Sequence, residues 1–235
     1  MPNRQPHHHI PAAISVTDGT VRLVGFGRTE GDDATSITLS EAAKRDASTR
    51  LVTDMHGSGL DQIDQGAIDW REYLEGTHWL IISASTSLAG GSARSAWGAS
   101  MAFAELEGSK TVMIVEMPED LEQLAEAWGN MIERIRQIHV LFICSDALTE
   151  IARLEDINEH DLLLKIRQRG LVPHVCGFIE PNLVQVEHSL GSFKIAADTS
   201  ISEISWLAGF VCELPSSGPG LDGVRTAAEA AGIRD

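Results

Sequence analysis

The amino-acid sequence predicts an α/β fold, a three-layer arrangement with a mainly parallel sheet and helices on both faces. Three observations predict it. From residue 70 onward, short apolar runs recur at residues 79–82, 111–115, 140–144 and 171–177. The segments between them carry helical spacing and are long enough for the right-handed crossovers that parallel strands require. After the fourth run, residues 183–187 and 192–196 alternate apolar and polar side chains about a Gly191 turn, the pattern of short antiparallel strands at a sheet edge. Together these describe a Rossmann-like layered sheet.

Residues 1–48 are polar and irregular except for one alternating stretch, 21–26, which follows the Asp18-Gly19 turn and reads as a strand. They are taken as an N-terminal segment with a candidate lid strand, ahead of an α/β domain over 49–235. Trp79-Leu80-Ile81-Ile82 ends on Ser83-Ala84-Ser85-Thr86-Ser87, and a small-residue-rich helix over 93–106 follows Gly90-Gly91. Pro118-Glu119-Asp120 sets proline and acids where a helix should start, because its free amides and dipole favour negative charge there. Leu121, Leu124, Trp128, Met131, Ile132 and Ile135 repeat at helical spacing behind it. Further helices are predicted from near Leu148 and over 159–169, 202–214 and 221–231.

A chain of 235 residues can bury about 70 to 75 % of its unfolded surface, so it needs no disulfide or metal to be stable. Its 43 % apolar and 22 % charged residues exclude a disordered, collagen-like or coiled-coil chain. No apolar run approaches the roughly eighteen residues of a membrane span, and the first residues lack the apolar centre of a signal peptide, so a cytoplasmic location is expected. The balance of 18 Lys plus Arg against 34 Asp plus Glu, a net charge of -16, repels phosphate backbones and anionic lipid; neither nucleic acid nor membrane is an expected partner. Cys144, Cys176 and Cys212 are odd in number, far apart and set in apolar stretches, which fits reduced thiols and not a zinc site. His7, His8 and His9 lie among Pro and Asn and read as a frayed tail, and the other histidines share no metal-binding spacing. No metal site is expected.

Particular residues carry a resemblance. The segment 49–60, then Ile68-Asp69-Trp70 and Thr77-His78-Trp79-Leu80, resembles in register the strand, turn, Asp-Trp pair and Trp-containing strand of the ribokinase-like (PfkB) carbohydrate kinases, above all their 2-keto-3-deoxygluconate kinase branch. Residues 198–210, Asp-Thr-Ser-Ile-Ser-Glu-Ile-Ser-Trp-Leu-Ala-Gly-Phe, match without a gap that family's Asp-Thr-Thr-Gly-Ala-Gly-Asp-Ala-Phe signature and the Gly-Phe two residues later. The similarity spans roughly 49–232. It implies a ribokinase-like fold, ATP and magnesium as cofactors, a sugar acid or other small metabolite as ligand, and dimer contact through the region of residues 49–60. It also implies a domain shortened at its N-terminus, since the family's glycine-rich sugar-binding segment has no counterpart in residues 1–48.

The family signature works because glycines at a helix N-terminus offer free amides to the transferred phosphoryl, while its aspartate takes the proton of the sugar hydroxyl. Here the glycines fall on Ile201 and Glu203, and the aspartate falls on Ile204, which cannot act as a base. Glu203 sets a negative charge where phosphate would sit, a repulsion of about 1 to 4 kcal/mol at a few ångströms. Ser200-Ile201-Ser202-Glu203 has the spacing of a capping box, so Glu203 is expected to cap its own helix; as a catalytic candidate it is a displaced base.

The remaining motifs change together. The Tyr-x-Arg that would hold a carboxylate falls on Thr53 and Met55, the Asp-x-Asn-x-Arg becomes 116–120 with Asp120 in the arginine's place, and the Asn-x-x-Glu falls on Cys144 and Ala147. Of the glycine-rich turn near the nucleotide, Gly177 persists. The candidate site residues by resemblance are therefore Glu203 for catalysis, Gly177, Asp198 and Thr199 for nucleotide, and Gly57 and Ser58 for substrate. Gly57-Ser58-Gly59 lacks the flanks of a hydrolase nucleophile elbow and reads as a turn. Trp70, Tyr73, Trp79 and Trp97 concentrate aromatic residues locally, as core or as a partner surface. The expectation is a catalytically impaired relative acting as a small-molecule or protein-binding module, with an active ATP-dependent kinase as the alternative.

Overall fold

The computed structural model describes residues 20–28, 33–53 and 59–233. Within them the strands β1 (Arg22–Phe26), β2 (Ser48–Val52), β3 (Trp79–Ser83), β4 (Lys110–Val115), β5 (Ile138–Ile143), β6 (His174–Glu180), β7 (Leu183–His188) and β8 (Gly191–Ala196) form one sheet in the order β2-β1-β3-β4-β5-β6-β7-β8. The pairs from β2 to β6 are parallel, while β7 and β8 add antiparallel at one edge.

Helices cover both faces, which is why β3, β4 and β5 read as continuous apolar runs with no polar face. Leu80, Ile82, Met113, Leu141 and Ile143 turn to the face covered by α2 (Trp70–Leu74), α3 (Gly91–Glu107), α4 (Leu121–Glu133), α5 (Ser145–Leu154) and α6 (Glu159–Gly170). Trp79, Ile81, Val112, Val140 and Phe142 turn to the other, covered by α1 (Ala34–Ala43), α7 (Glu203–Ser217) and α8 (Leu221–Ala231). In that second layer Trp206 stacks on Phe142 and Phe210, with ring centroids 6.0 and 5.0 Å apart. The edge strand β8 alternates buried Phe193 and Ile195 with exposed Ser192 and Lys194, which blunts it against further pairing. Several helix starts carry a side-chain cap: Asp33 for α1, Asp69 for α2, Asp120 for α4, Asn158 for α6 and Ser202 for α7.

Two expectations need correction. The boundary at residue 48 is no domain boundary: β1 is an interior strand, paired with both β2 and β3, and Phe26 is wholly buried against Trp70. A strand followed by a capped helix and a second parallel strand is the first βαβ unit of the sheet, so 22–26 builds the core and is not a lid. Gly177 lies inside β6, not in a turn, opposite Ile143 on β5. A Cβ there would come within 2.5 Å of the Ile143 carbonyl oxygen, so close approach of two strands requires the glycine.

The aromatic residues divide between the layers. Trp70 and Trp97 belong to one core and Trp79 to the other, with half-buried Tyr73 beneath the Arg50 guanidinium at 3.9 Å. Among the described residues no helix is long and apolar enough to cross a membrane.

Candidate functional site

In an open parallel sheet the crevice for ligands lies at the carboxyl ends of the strands, where the chain's direction of winding reverses. Here that point falls between β1 and β3. Ser83 ends β3, Ser85 follows it, and Glu116 follows β4. Glu116 Oε1 accepts hydrogen bonds from Ser83 Oγ at 2.5 Å and from Ser85 Oγ, and Ser85 N–H donates to Ser83 Oγ at 3.1 Å. Its second oxygen, Oε2, is buried and has no hydrogen-bond partner among the described residues. Burial raises the Glu116 carboxyl above the ordinary glutamate range; the two serine hydroxyls oppose this, and the Asp33 charge reinforces it. Asp33 is itself engaged, accepting from Ser36 N–H and Arg28 N–H, each at 2.6 Å.

Farther along the same edge lie Cys144 and Ser145, at the join of β5 and α5. Cys144 occupies the cap position of α5 but makes no side-chain cap bond. The cap comes instead from across the fold. Glu203 accepts from Ser145 N–H at 3.0 Å and from Ser145 Oγ at 2.5 Å. The expected capping box is therefore corrected: Ser202, not Ser200, caps α7, accepting from Ser205 N–H at 3.1 Å, and Glu203 turns away to another helix. The physical reason is an unfilled position. Cys144 offers α5 no cap bond, and the Ser145 amide, with no partner inside its own helix, takes the Glu203 carboxylate, which the helix dipole favours.

The neighbouring groups follow. Cys144, beside Glu203 and Glu116, is held as a neutral thiol, chiefly by burial and then by those charges, so it is no nucleophile. Asp198 orders the loop before α7, accepting from Ser200 N–H at 2.8 Å and Ser200 Oγ at 2.7 Å, while Thr199 is exposed. Ile204, at the base position, packs half-buried against the core beneath α7. Asp120 accepts from Gln123 N–H at 2.8 Å as the cap of α4. Gly57 and Ser58 lie outside the described residues.

The structure thus brings Glu203, Asp198 and Cys144 to one edge, with Gly177 level with the last residue of β5 but inside a strand and not in a turn. It missed Glu116 with Ser83 and Ser85, although two serines straight after a buried strand, level with an acid after the next, were a readable signal. Chemically the edge offers acceptors and hydroxyls. Carboxylates stand where a nucleotide phosphate would need donors, and no group of three side chains able to hold a metal occurs among the described residues. The residues present do not fit a magnesium nucleotide.

No family model matches the chain, and no curated protein matches it either. Solved structures do. The 2-dehydro-3-deoxygluconokinase of Thermotoga maritima superposes over 90 % of this chain and 92 % of its own, with a TM-score of 0.67 at 12 % identity. The fold is that of the ribokinase-like (PfkB) carbohydrate kinases. The fructokinase of Vibrio cholerae O395, solved with fructose, ADP and calcium, gives a TM-score of 0.70 at 11 % identity over 92 % of this chain and 91 % of that one. The aminoimidazole riboside kinase of Salmonella enterica, solved with aminoimidazole riboside and an ATP analogue, gives 0.65 at 13 % over 90 % and 91 %. Coverage near 90 % of this chain can be reached only by including part of its first 48 residues, in keeping with β1 as a core strand. On this ribokinase-like fold the start of α5 is bonded by Glu203 and that of α7 by Ser202.

Proposed function

We propose that this protein is a non-phosphorylating relative of the ribokinase-like sugar kinases, using the cleft at the carboxyl edge of the sheet to bind a small hydroxyl-bearing metabolite. One observation carries the reading: Glu203, at a position where the kinases have glycine, is committed through two hydrogen bonds to the start of α5, with Ile204 beside it at the position of the base. A carboxylate fixed there opposes phosphate by charge, and it occupies the Ser145 amide at the start of the neighbouring α5. The Glu116, Ser83 and Ser85 group, whose serine protons are already given to Glu116 Oε1, is an acceptor set that suits the donor protons of a ligand's hydroxyls.

The test is a phosphoryl-transfer assay with ATP and magnesium against 2-keto-3-deoxygluconate, fructose and aminoimidazole riboside. The reading expects no sugar-dependent ADP release. Turnover that is abolished by Glu203→Gln would restore the kinase and make Glu203 its base.

A further inference from the structure

The opposite edge of the sheet, where the parallel strands begin, holds a second pocket. A cavity of about 390 Å³ opens between the starts of β3, β4, β5 and β6 and the turn joining α7 to α8. Its walls are Trp79, Lys110, His139, Pro173, His174 and His188 on the sheet side, closed by Leu214, Pro215 and Val224. At water's share of about 30 Å³ per molecule, the space takes roughly a dozen water-sized groups.

Its polar lining is donor-rich. The His139 Nδ1 accepts from Thr111 N–H at 3.3 Å, which leaves the proton of the neutral ring on Nε2. The His188 Nδ1 accepts from Leu190 N–H at 3.2 Å, with the same consequence. Two buried polar atoms in this lining have no partner: Nε1 of Trp79, on a side chain only 3 % exposed, and Nδ1 of His174, whose ring stacks on His188 at 5.1 Å. A buried indole N–H left unpaired is unfavourable, and a bound acceptor would satisfy it. The charge is as selective as the hydrogen bonding. In a chain of net charge -16, no carboxylate among the described residues lines this cavity, while Lys110 lies at its rim with Nζ 5.6 Å from the Trp79 ring centroid. Burial and mutual proximity favour neutral imidazoles, so the cavity is not closed to an anion's apolar part.

We propose that this pocket binds a small organic carboxylate, its apolar body against Leu214, Pro215 and Val224 and its carboxylate held by Lys110 and the unpaired indole N–H of Trp79. The site is separate from the carboxyl-edge cleft, so its fate does not depend on the kinase question.

Imidazole NMR signals of the full chain, titrated with benzoate as the probe, test the proposal. Saturable shifts at His139, His174 and His188 are expected, with exposed His160 on α6 unmoved. Neutral benzamide should bind about tenfold more weakly. Lys110→Met should weaken benzoate about fivefold, and Trp79→Phe, which keeps the ring plane but removes the donor, should weaken it comparably with the fold intact. No saturable shift by about 20 mM benzoate overturns the proposal, as does equal affinity for benzamide or an undiminished affinity in both variants.

Discussion

Replacing Glu203 by alanine separates a structural carboxylate from a functional one. The side chain accepts two hydrogen bonds from the first residue of α5, at 3.0 Å from the amide and 2.5 Å from the hydroxyl of Ser145. Loss of a helix cap costs about 1 kcal/mol, and loss of a negative charge at a helix N-terminus about 0.3 to 1 kcal/mol more. Glu203→Ala should therefore destabilise the protein by about 1 to 2 kcal/mol. At about 2 to 4 °C per kcal/mol for a domain of this size, Tm falls by roughly 2 to 8 °C. Differential scanning calorimetry reads this directly, and a double-mutant cycle with Ser145→Ala assigns it: the two changes together should cost less than their sum by about 1 kcal/mol. A binding site usually holds its charged groups at some expense of stability, so removing one is neutral or stabilising. An unchanged or higher Tm for Glu203→Ala refutes the cap, and strict additivity with Ser145→Ala, which keeps the amide, refutes the hydroxyl bond.

Three further outcomes are expected. Glu116→Gln should raise Tm at pH 7, because the burial that lifts its carboxyl also penalises the charged form; since a raised folded pKa costs stability above the unfolded value, the gain should fade as pH falls toward the ordinary glutamate range. Acidification should weaken the fold through His174, whose folded pKa burial and its histidine neighbours depress to about 3. The native state then binds fewer protons than the unfolded chain, so stability is full above the unfolded value near 6.5 and lost below it, by about 1.4 kcal/mol at pH 5.5. Urea midpoints from pH 7.5 to 5 check this, and His174→Phe should flatten the slope. Gly177→Ala should cost about 1 to 3 kcal/mol, seen as a lower urea midpoint at unchanged m-value, because its Cβ meets a backbone oxygen that cannot move aside.

Most of the fold was legible because each buried strand leaves a continuous apolar run and each helix an apolar stripe. The segments at 79–82, 111–115 and 140–144 became β3, β4 and β5, and the repeat from Leu121 became α4, started by Asp120. The first βαβ unit was harder to read. β1 is only five residues with an arginine and a glycine, and α1, ATSITLSEAA, has no apolar periodicity, since Thr35 and Thr38 are among its buried residues. Gly25 permits this packing, with a Cβ there falling 2.6 Å from Leu39. At the site, the expected placement of Glu203 at the start of α7 was legible in the sequence. Its new contacts were not. The bond between Glu203 and Ser145 joins residues 58 apart, and local spacing favoured the nearer Ser200. Pairings of that length depend on how β5 and α7 meet in three dimensions, which no short motif encodes.

The central claim is that this scaffold has given up nucleotide. A thermal-shift titration of the purified protein with ATP and magnesium, with and without 2-keto-3-deoxygluconate, tests it most directly. A ligand at 100 times its dissociation constant stabilises a fold by about 2.7 kcal/mol, several degrees for this chain. The account predicts no shift at millimolar ATP, with or without the sugar acid. A saturable rise in Tm with magnesium nucleotide contradicts it.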